Sequence, residues 1–169
     1  DLTVHFDGSS RTRLVPAFPA EGRAFWYSGR ANQRDITLTR AVDLRGVTQA
    51  TLTFRTWYQI EDGWDFGYVE VSTDGGETWS LLRGAHMSDK NPMGNNYGWG
   101  YTGVSGGRKG DEPRWLDERI DLTPYTGREV LLRFEYVTDD AYHAVGWVLD
   151  DIAIPEIGFR DGAEGEDPS

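Results

Sequence analysis

An all-β, jelly-roll-like two-sheet β-sandwich is the fold this sequence predicts, and three observations point to it. Apolar residues recur at period two in short runs, clusters of Gly, Pro, Asn and Asp separate the runs, and no long segment has helical periodicity. Two facing sheets bury the apolar side of each run and leave the polar side to water.

The clearest strands are Asp35 to Val42, Ala50 to Ile60, Gly67 to Ser72, Trp79 to Leu82, Arg114 to Asp121, Val130 to Val137 and Gly146 to Ile154, with shorter pieces at Thr3 to Phe6 and Ala24 to Tyr27. Thr73-Asp74-Gly75-Gly76-Glu77 reads as a hairpin turn, because its glycines reach the positive φ values that tight hairpins require. At Pro124-Tyr125-Thr126-Gly127, Asp121 or Thr123 caps at most one helical turn before Gly127 ends it. The stretch from Gly84 to Pro113, with Asn95-Asn96-Tyr97-Gly98-Trp99-Gly100-Tyr101 and Ser105-Gly106-Gly107, is too long for an ordinary connection and reads as a functional or stapling loop. One domain is expected over residues 1–158, with 159–169 as an acidic linker or tail: from Asp161 on, no apolar residue large enough to anchor the chain offsets its ordering entropy.

A chain of 169 residues with 38% apolar and 13% aromatic content can build a packed core without disulfides, and it has no cysteine for thiolate chemistry. The net charge of −11, from 28 acidic against 17 basic residues spread along the chain, argues against nucleic-acid binding and against docking on anionic membranes. Cations are the more natural partners. No stretch approaches the roughly 20 apolar residues of a membrane span, so no membrane insertion is expected. Asp1-Leu2-Thr3-Val4 lacks the basic and apolar regions of a signal peptide, so a secreted parent implies a processed piece.

Three segments carry a family resemblance: Tyr27-Ser28-Gly29 with Asp35-Ile36-Thr37-Leu38-Thr39-Arg40; Thr56-Trp57-Tyr58-Gln59-Ile60-Glu61 with Trp64-Asp65-Phe66-Gly67-Tyr68-Val69-Glu70-Val71-Ser72-Thr73-Asp74-Gly75-Gly76; and Gly146-Trp147-Val148-Leu149-Asp150-Asp151-Ile152. In matching order over roughly residues 25–154, they resemble the region downstream of the catalytic domain in immune-inhibitor-A-type metallopeptidases. The resemblance implies a secreted bacterial parent, extracellular, whose proteolysis runs at a zinc held by a His-Glu-x-x-His helix. This sequence has no such motif, His5, His86 and His143 being its only histidines, so no catalytic residue is expected in this chain. More distantly the same pieces resemble MAM-type jelly rolls, in which an acidic residue near the start and an Asp-Asp-Ile near the end help hold a cation. Phe6-Asp7 and Asp150-Asp151-Ile152 occupy those places.

Strand alternation puts Val148, Asp150, Ile152 and Ile154 on one apolar face. A bare buried carboxylate costs several kcal/mol, so Asp150 should bind a metal, be protonated, or pair with an arginine such as Arg133 or Arg40. Calcium takes about 6–8 oxygen ligands, and Asp7, Asp62, Asp65, Asp150 and Asp151 are the candidate carboxylates, with main-chain carbonyls completing the shell. Asp139-Asp140 reads as a turn in preference to a second cation site.

Trp57, Trp79, Trp115 and Trp147 lie in strand-like runs and are expected to pack, whereas Trp64, Tyr97, Trp99 and Tyr101 are the ligand-contact candidates, unless they fold back to seal one end of the sandwich. Val104-Ser105-Gly106-Gly107 lacks the Gly-x-Ser-x-Gly elbow of a hydrolase and the Gly-Lys-Ser/Thr of a phosphate loop. The leading expectation is a calcium-stabilised, non-catalytic accessory domain that stabilises, positions or targets a secreted metallopeptidase, with the rest of that peptidase and its protein substrate as partners. The alternatives are a carbohydrate-binding module that holds a glycan on loop aromatics, and a MAM-like adhesion or protein-interaction domain.

Overall fold

The computed structural model describes residues 3–5, 8, 12–142 and 144–165. Among the described residues nine strands form: β1 Trp26–Tyr27, β2 Asp35–Asp43, β3 Thr51–Gln59, β4 Phe66–Ser72, β5 Ser80–Leu81, β6 Leu116–Asp121, β7 Glu129–Val137, β8 Gly146–Ile154 and β9 Phe159–Asp161. They make two antiparallel sheets, β1-β8-β3-β6 with β9 also on β8, and β2-β7-β4-β5. The sequence expectation of a two-sheet sandwich therefore holds. Among the described residues no helix is long and apolar enough to cross a membrane.

Alternation decides what each sheet buries. From β4, Val69 and Val71 enter the inter-sheet core with Phe54, Leu132, Phe134, Tyr136, Trp147 and Leu149. Phe66, Tyr68 and Glu70 have the opposite parity and face out, where the loop after β5 covers the two rings. A second, smaller core of Val15, Trp57, Val145 and Val148 forms on the other side of β3 and β8, joined by the half-buried Phe25 and Trp115. The first sheet is thus covered on both faces.

The hairpin expected at Asp74-Gly75-Gly76 joins β4 to β5. Asp74 Oδ1 accepts the Thr78 N–H at 3.0 Å, and Gly75 and Gly76 have φ of 77° and 97°. Thr123–Tyr125 is a single 3-10 turn, and Asp121 Oδ1 accepts the Thr123 N–H at 2.8 Å.

Three expectations change. The chain does not leave the domain at 158: β9 pairs with β8, and Glu164 Oε1 accepts the N–H groups of Arg23 and Ala24 at 2.6 and 3.0 Å. Strict alternation along β8 fails, because the β3–β8 register shifts between Thr53 and Arg55 and Asp151 takes a φ of 49°. That bulge switches parity. Ile152 and Ile154 join Trp147 and Leu149 in the inter-sheet core, and Val148 belongs to the smaller core on the opposite face. Finally, of the piece expected at Thr3 to Phe6, Thr3 to His5 are in no strand and Phe6 lies outside the described residues.

Candidate functional site

Asp150 is fully buried at the bulge. Its Oδ2 accepts the N–H groups of Ala20 and Glu21 at 2.8 and 3.0 Å, and its Oδ1 accepts the Asp151 N–H at 2.8 Å. Three charge-assisted hydrogen bonds replace the water lost on burial, and they latch the segment around Ala20 onto β8. Neither Arg133 nor Arg40 is its partner: Arg133 pairs with Glu70 and Glu135, and the Arg40 guanidinium lies 5.5 Å from the Phe159 ring centroid. Asp151 accepts from Arg160 Nε at 2.9 Å, and Arg160 also pairs with Glu21. Donors thus occupy both oxygens of Asp150 and one of Asp151. Asp7 lies outside the described residues.

The other end of the sandwich differs. Asp65, immediately before β4, shares the inward parity of Gly67 and Val69 and is fully buried. Asp139, two residues beyond β7, donates its main-chain N–H to Asp65 Oδ1 at 2.9 Å, and the Tyr136 hydroxyl reaches Asp65 Oδ2 at 3.5 Å. Glu61 completes a group: one carboxylate oxygen from each of Glu61, Asp65 and Asp139 lies within 4.8 Å of the others. Glu61 Oε2 is buried and accepts no hydrogen bond. Burial, with the charges of Asp139 and Glu61 added, pushes the Asp65 carboxyl up to about 6, against the lowering effect of the Asp139 N–H; burial and Asp139 likewise raise Glu61. Crowded carboxylates and an acceptor without a donor are what a hard cation with oxygen ligands relieves.

Of the described carboxylates offered in the sequence as calcium ligands, Asp62, Asp65, Asp150 and Asp151, only Asp65 belongs to this group. Asp62 is exposed and lines a separate cleft with His86, Arg108 and Lys109. Asp139 makes the expected turn, its Oδ1 accepting the Ala141 N–H at 3.0 Å, and also faces Asp65. The pairing of β4 with β7 unites them, with Phe66 opposite Val137.

The four candidate ligand-contact rings divide. Tyr101 is fully buried, a correction to its candidacy: it enters the core beside Tyr58 and Trp147, and its hydroxyl donates to Glu118 Oε2 at 3.0 Å. Trp99 packs on the core with the Arg83 guanidinium 3.9 Å above its ring. Bridges Ser88↔Gly100, Gly67↔Tyr101 and Gln59↔Val104 carry this loop across from one sheet to the other, so here it acts as a staple. Trp64 and Tyr97 remain exposed, at 41% and 70%. They border a groove with Asn95, Thr138 and Asp139.

Residues 8–169 match the family model described as "Immune inhibitor A-like, MAM domain". The chain belongs to the immune inhibitor A-like MAM domain family. Relatives of this MAM domain include Immune inhibitor A of Bacillus thuringiensis subsp. alesti, 30% identical over 151 residues that make up 87% of this chain and 20% of that protein. The pre-pro-metalloprotease PrtV of Vibrio cholerae serotype O1 (strain M66-2) is 30% identical over 150 residues, 87% of this chain and 15% of the relative. Bacillopeptidase F of Bacillus subtilis (strain 168) is 30% identical over 105 residues, 62% of this chain and 6% of the relative. The MAM domain thus spans a fifth or less of the length of these relatives.

Proposed function

We propose that this chain is a non-catalytic accessory domain of a secreted bacterial metallopeptidase, acting outside the cell to stabilise, position or target the catalytic part. What supports this reading is coverage: the similarity fills most of this chain yet only 20% and 15% of relatives named Immune inhibitor A and pre-pro-metalloprotease. This sequence also carries no His-Glu-x-x-His motif. Removing the domain from its parent should leave cleavage of a short peptide unchanged while lowering stability or cleavage of a folded protein; loss of peptide cleavage by a still-folded enzyme would refute the reading.

We further propose that the domain is calcium-stabilised, with the ion held by Glu61, Asp65 and Asp139 in place of the Asp150 end. The buried, unpartnered Glu61 Oε2 carries this assignment. Calcium there would tie the loop before β4 to the segment after β7 and neutralise most of the local charge. Melting with excess calcium and again with a chelator tests it. A calcium-dependent rise in Tm is expected, and equal melting would refute the site.

A further inference from the structure

We propose that the groove between Trp64 and Tyr97 is a binding subsite for one neutral pyranose unit of a glycan. The inference is independent of the cation reading, because the rings and the amide that carry it belong to other residues.

Both rings are open to solvent; the Tyr97 ring is fixed from behind, and Trp64 is held at its backbone. Tyr97 stacks on Tyr68 with centroids 5.6 Å apart and 27° between planes. The Tyr68 hydroxyl accepts the Tyr97 N–H at 3.0 Å and donates to Asn96 Oδ1 at 3.0 Å. Asn96 is itself buried, with its amide donating to the Lys90 carbonyl at 2.9 Å and its N–H to Asn91 Oδ1 at 2.9 Å. Trp64 is pinned through its backbone: its carbonyl accepts from Asn95 Nδ2 at 2.7 Å and its N–H donates to the Glu61 carbonyl at 3.2 Å. An exposed ring that needs little ordering on binding, as that of Tyr97, suits the apolar C–H face of a sugar ring, since the conformational cost is met in folding.

The polar lining fits the same ligand. Asn95 Oδ1 is buried and accepts no hydrogen bond, while its amide nitrogen is held on Trp64, so the oxygen is oriented and lacks a donor. A ligand hydroxyl supplies that donor. The groove ends at Asp139, beside Glu61 and Asp65, on a chain of net charge −11. One bound calcium removes only two of those eleven charges, so sulfated or uronic glycans meet net repulsion from the chain, which selects a neutral sugar. Its volume of about 200 Å³ is below the ~300–1,000 Å³ of sites that enclose a small molecule. One ring therefore rests in it, and a longer glycan must continue over the surface.

The test is titration of the chain, in calcium, with cellohexaose, laminarihexaose, mannohexaose and chitohexaose, followed by tryptophan fluorescence and calorimetry. At least one should bind saturably, with an affinity that Trp64→Ala and Tyr97→Ala each weaken about tenfold, and Trp64→Phe less. Trp26→Ala, which alters an exposed tryptophan on β1, should change nothing, and a hyaluronan hexasaccharide should not bind. Unchanged Tm and circular dichroism in each variant establish that the fold is kept. No binding by any of the four sugars, binding indifferent to both ring substitutions, or a response to a lysine-rich peptide with every sugar inert would each overturn the assignment. Failure here leaves the calcium reading standing, because neither ring supplies a metal ligand.

Discussion

Gly67 lies against the face of Trp147 so closely that a Cβ on Gly67 would be 2.8 Å from ring atom Cε3 and 2.9 Å from Cδ2. The ring cannot retreat. Its Nε1 donates to Thr56 Oγ1 at 2.8 Å, and Tyr101 and Phe134 lie at centroid distances of 5.4 and 5.9 Å. Gly67→Ala should therefore destabilise the domain by about 1–3 kcal/mol through overpacking. Gly46→Ala, at an exposed position with nothing within 4 Å of the added Cβ, should stay within about ±0.5 kcal/mol. Urea unfolding of the two variants measures the contrast, and equal midpoints would refute this account of Gly67.

Asp150 and Asp65 should separate on mutation. Asp150→Ala leaves the N–H groups of Ala20, Glu21 and Asp151 without their acceptor, at a cost of about 2–5 kcal/mol. That loss should be the same in calcium and in chelator. Asp65→Asn should abolish most of the difference in Tm between calcium and chelator. Differential scanning calorimetry of both variants in both buffers checks the assignment, and a chelator effect lost in Asp150→Ala but kept in Asp65→Asn would move the ion to β8.

This contrast shows how far sequence reading reaches. Period-two runs located β2, β3, β4, β6, β7 and β8 to within a few residues, because alternation is written locally. The parity switch at Asp150 and Asp151 is not local: it depends on a non-glycine residue at positive φ whose carboxylate meets Arg160 on β9. β9 itself is three residues long with one large apolar side chain, too little to register as a strand. Asp65 and Asp139 are 74 residues apart and meet only through the β4–β7 register. Tyr101 was ambiguous because Gly98 and Gly100 let its loop turn either way; burial beside Trp147 decided it.

Stability should also carry a pH signature from the outer face of the second sheet. Arg133 serves two carboxylates, Glu70 at 2.5 Å and Glu135 at 2.9 Å, beneath the ring of Trp79. Burial, then the charge of Glu70, pushes Glu135 up to about 7, despite Arg133. A carboxyl raised in the folded state binds more protons there than in the unfolded chain between about pH 4.3 and 7, so its contribution favours folding at low pH and is lost as pH rises through the folded value. Glu135→Gln should remove this term. The loss of stability from pH 5 to pH 8 should be smaller in the variant by about 1–3 kcal/mol, and parallel pH profiles would refute it.

Glu118 anchors the long loop to β6, and its substitution should loosen that loop before the sandwich. Its Oε1 accepts the N–H groups of Ala85 and Arg119 at 2.8 and 3.0 Å, and its Oε2 accepts the His86 N–H at 3.1 Å and the Tyr101 hydroxyl at 3.0 Å. Four donors around one buried carboxylate leave no place for an amide. In Glu118→Gln, an –NH₂ at the first oxygen's position opposes two N–H groups, and at the second it opposes His86 while the Tyr101 hydroxyl can turn to accept. The second orientation costs less, so the variant should lose about 2–4 kcal/mol, with hydrogen exchange fastest at His86. Tyr101→Phe keeps the ring in the core and removes one bond to Oε2, so it should cost less and leave exchange at Ala85 protected. Amide exchange at Ala85 and His86 separates the two variants, and an unchanged rate at His86 in Glu118→Gln would show that the carboxylate does not hold the loop.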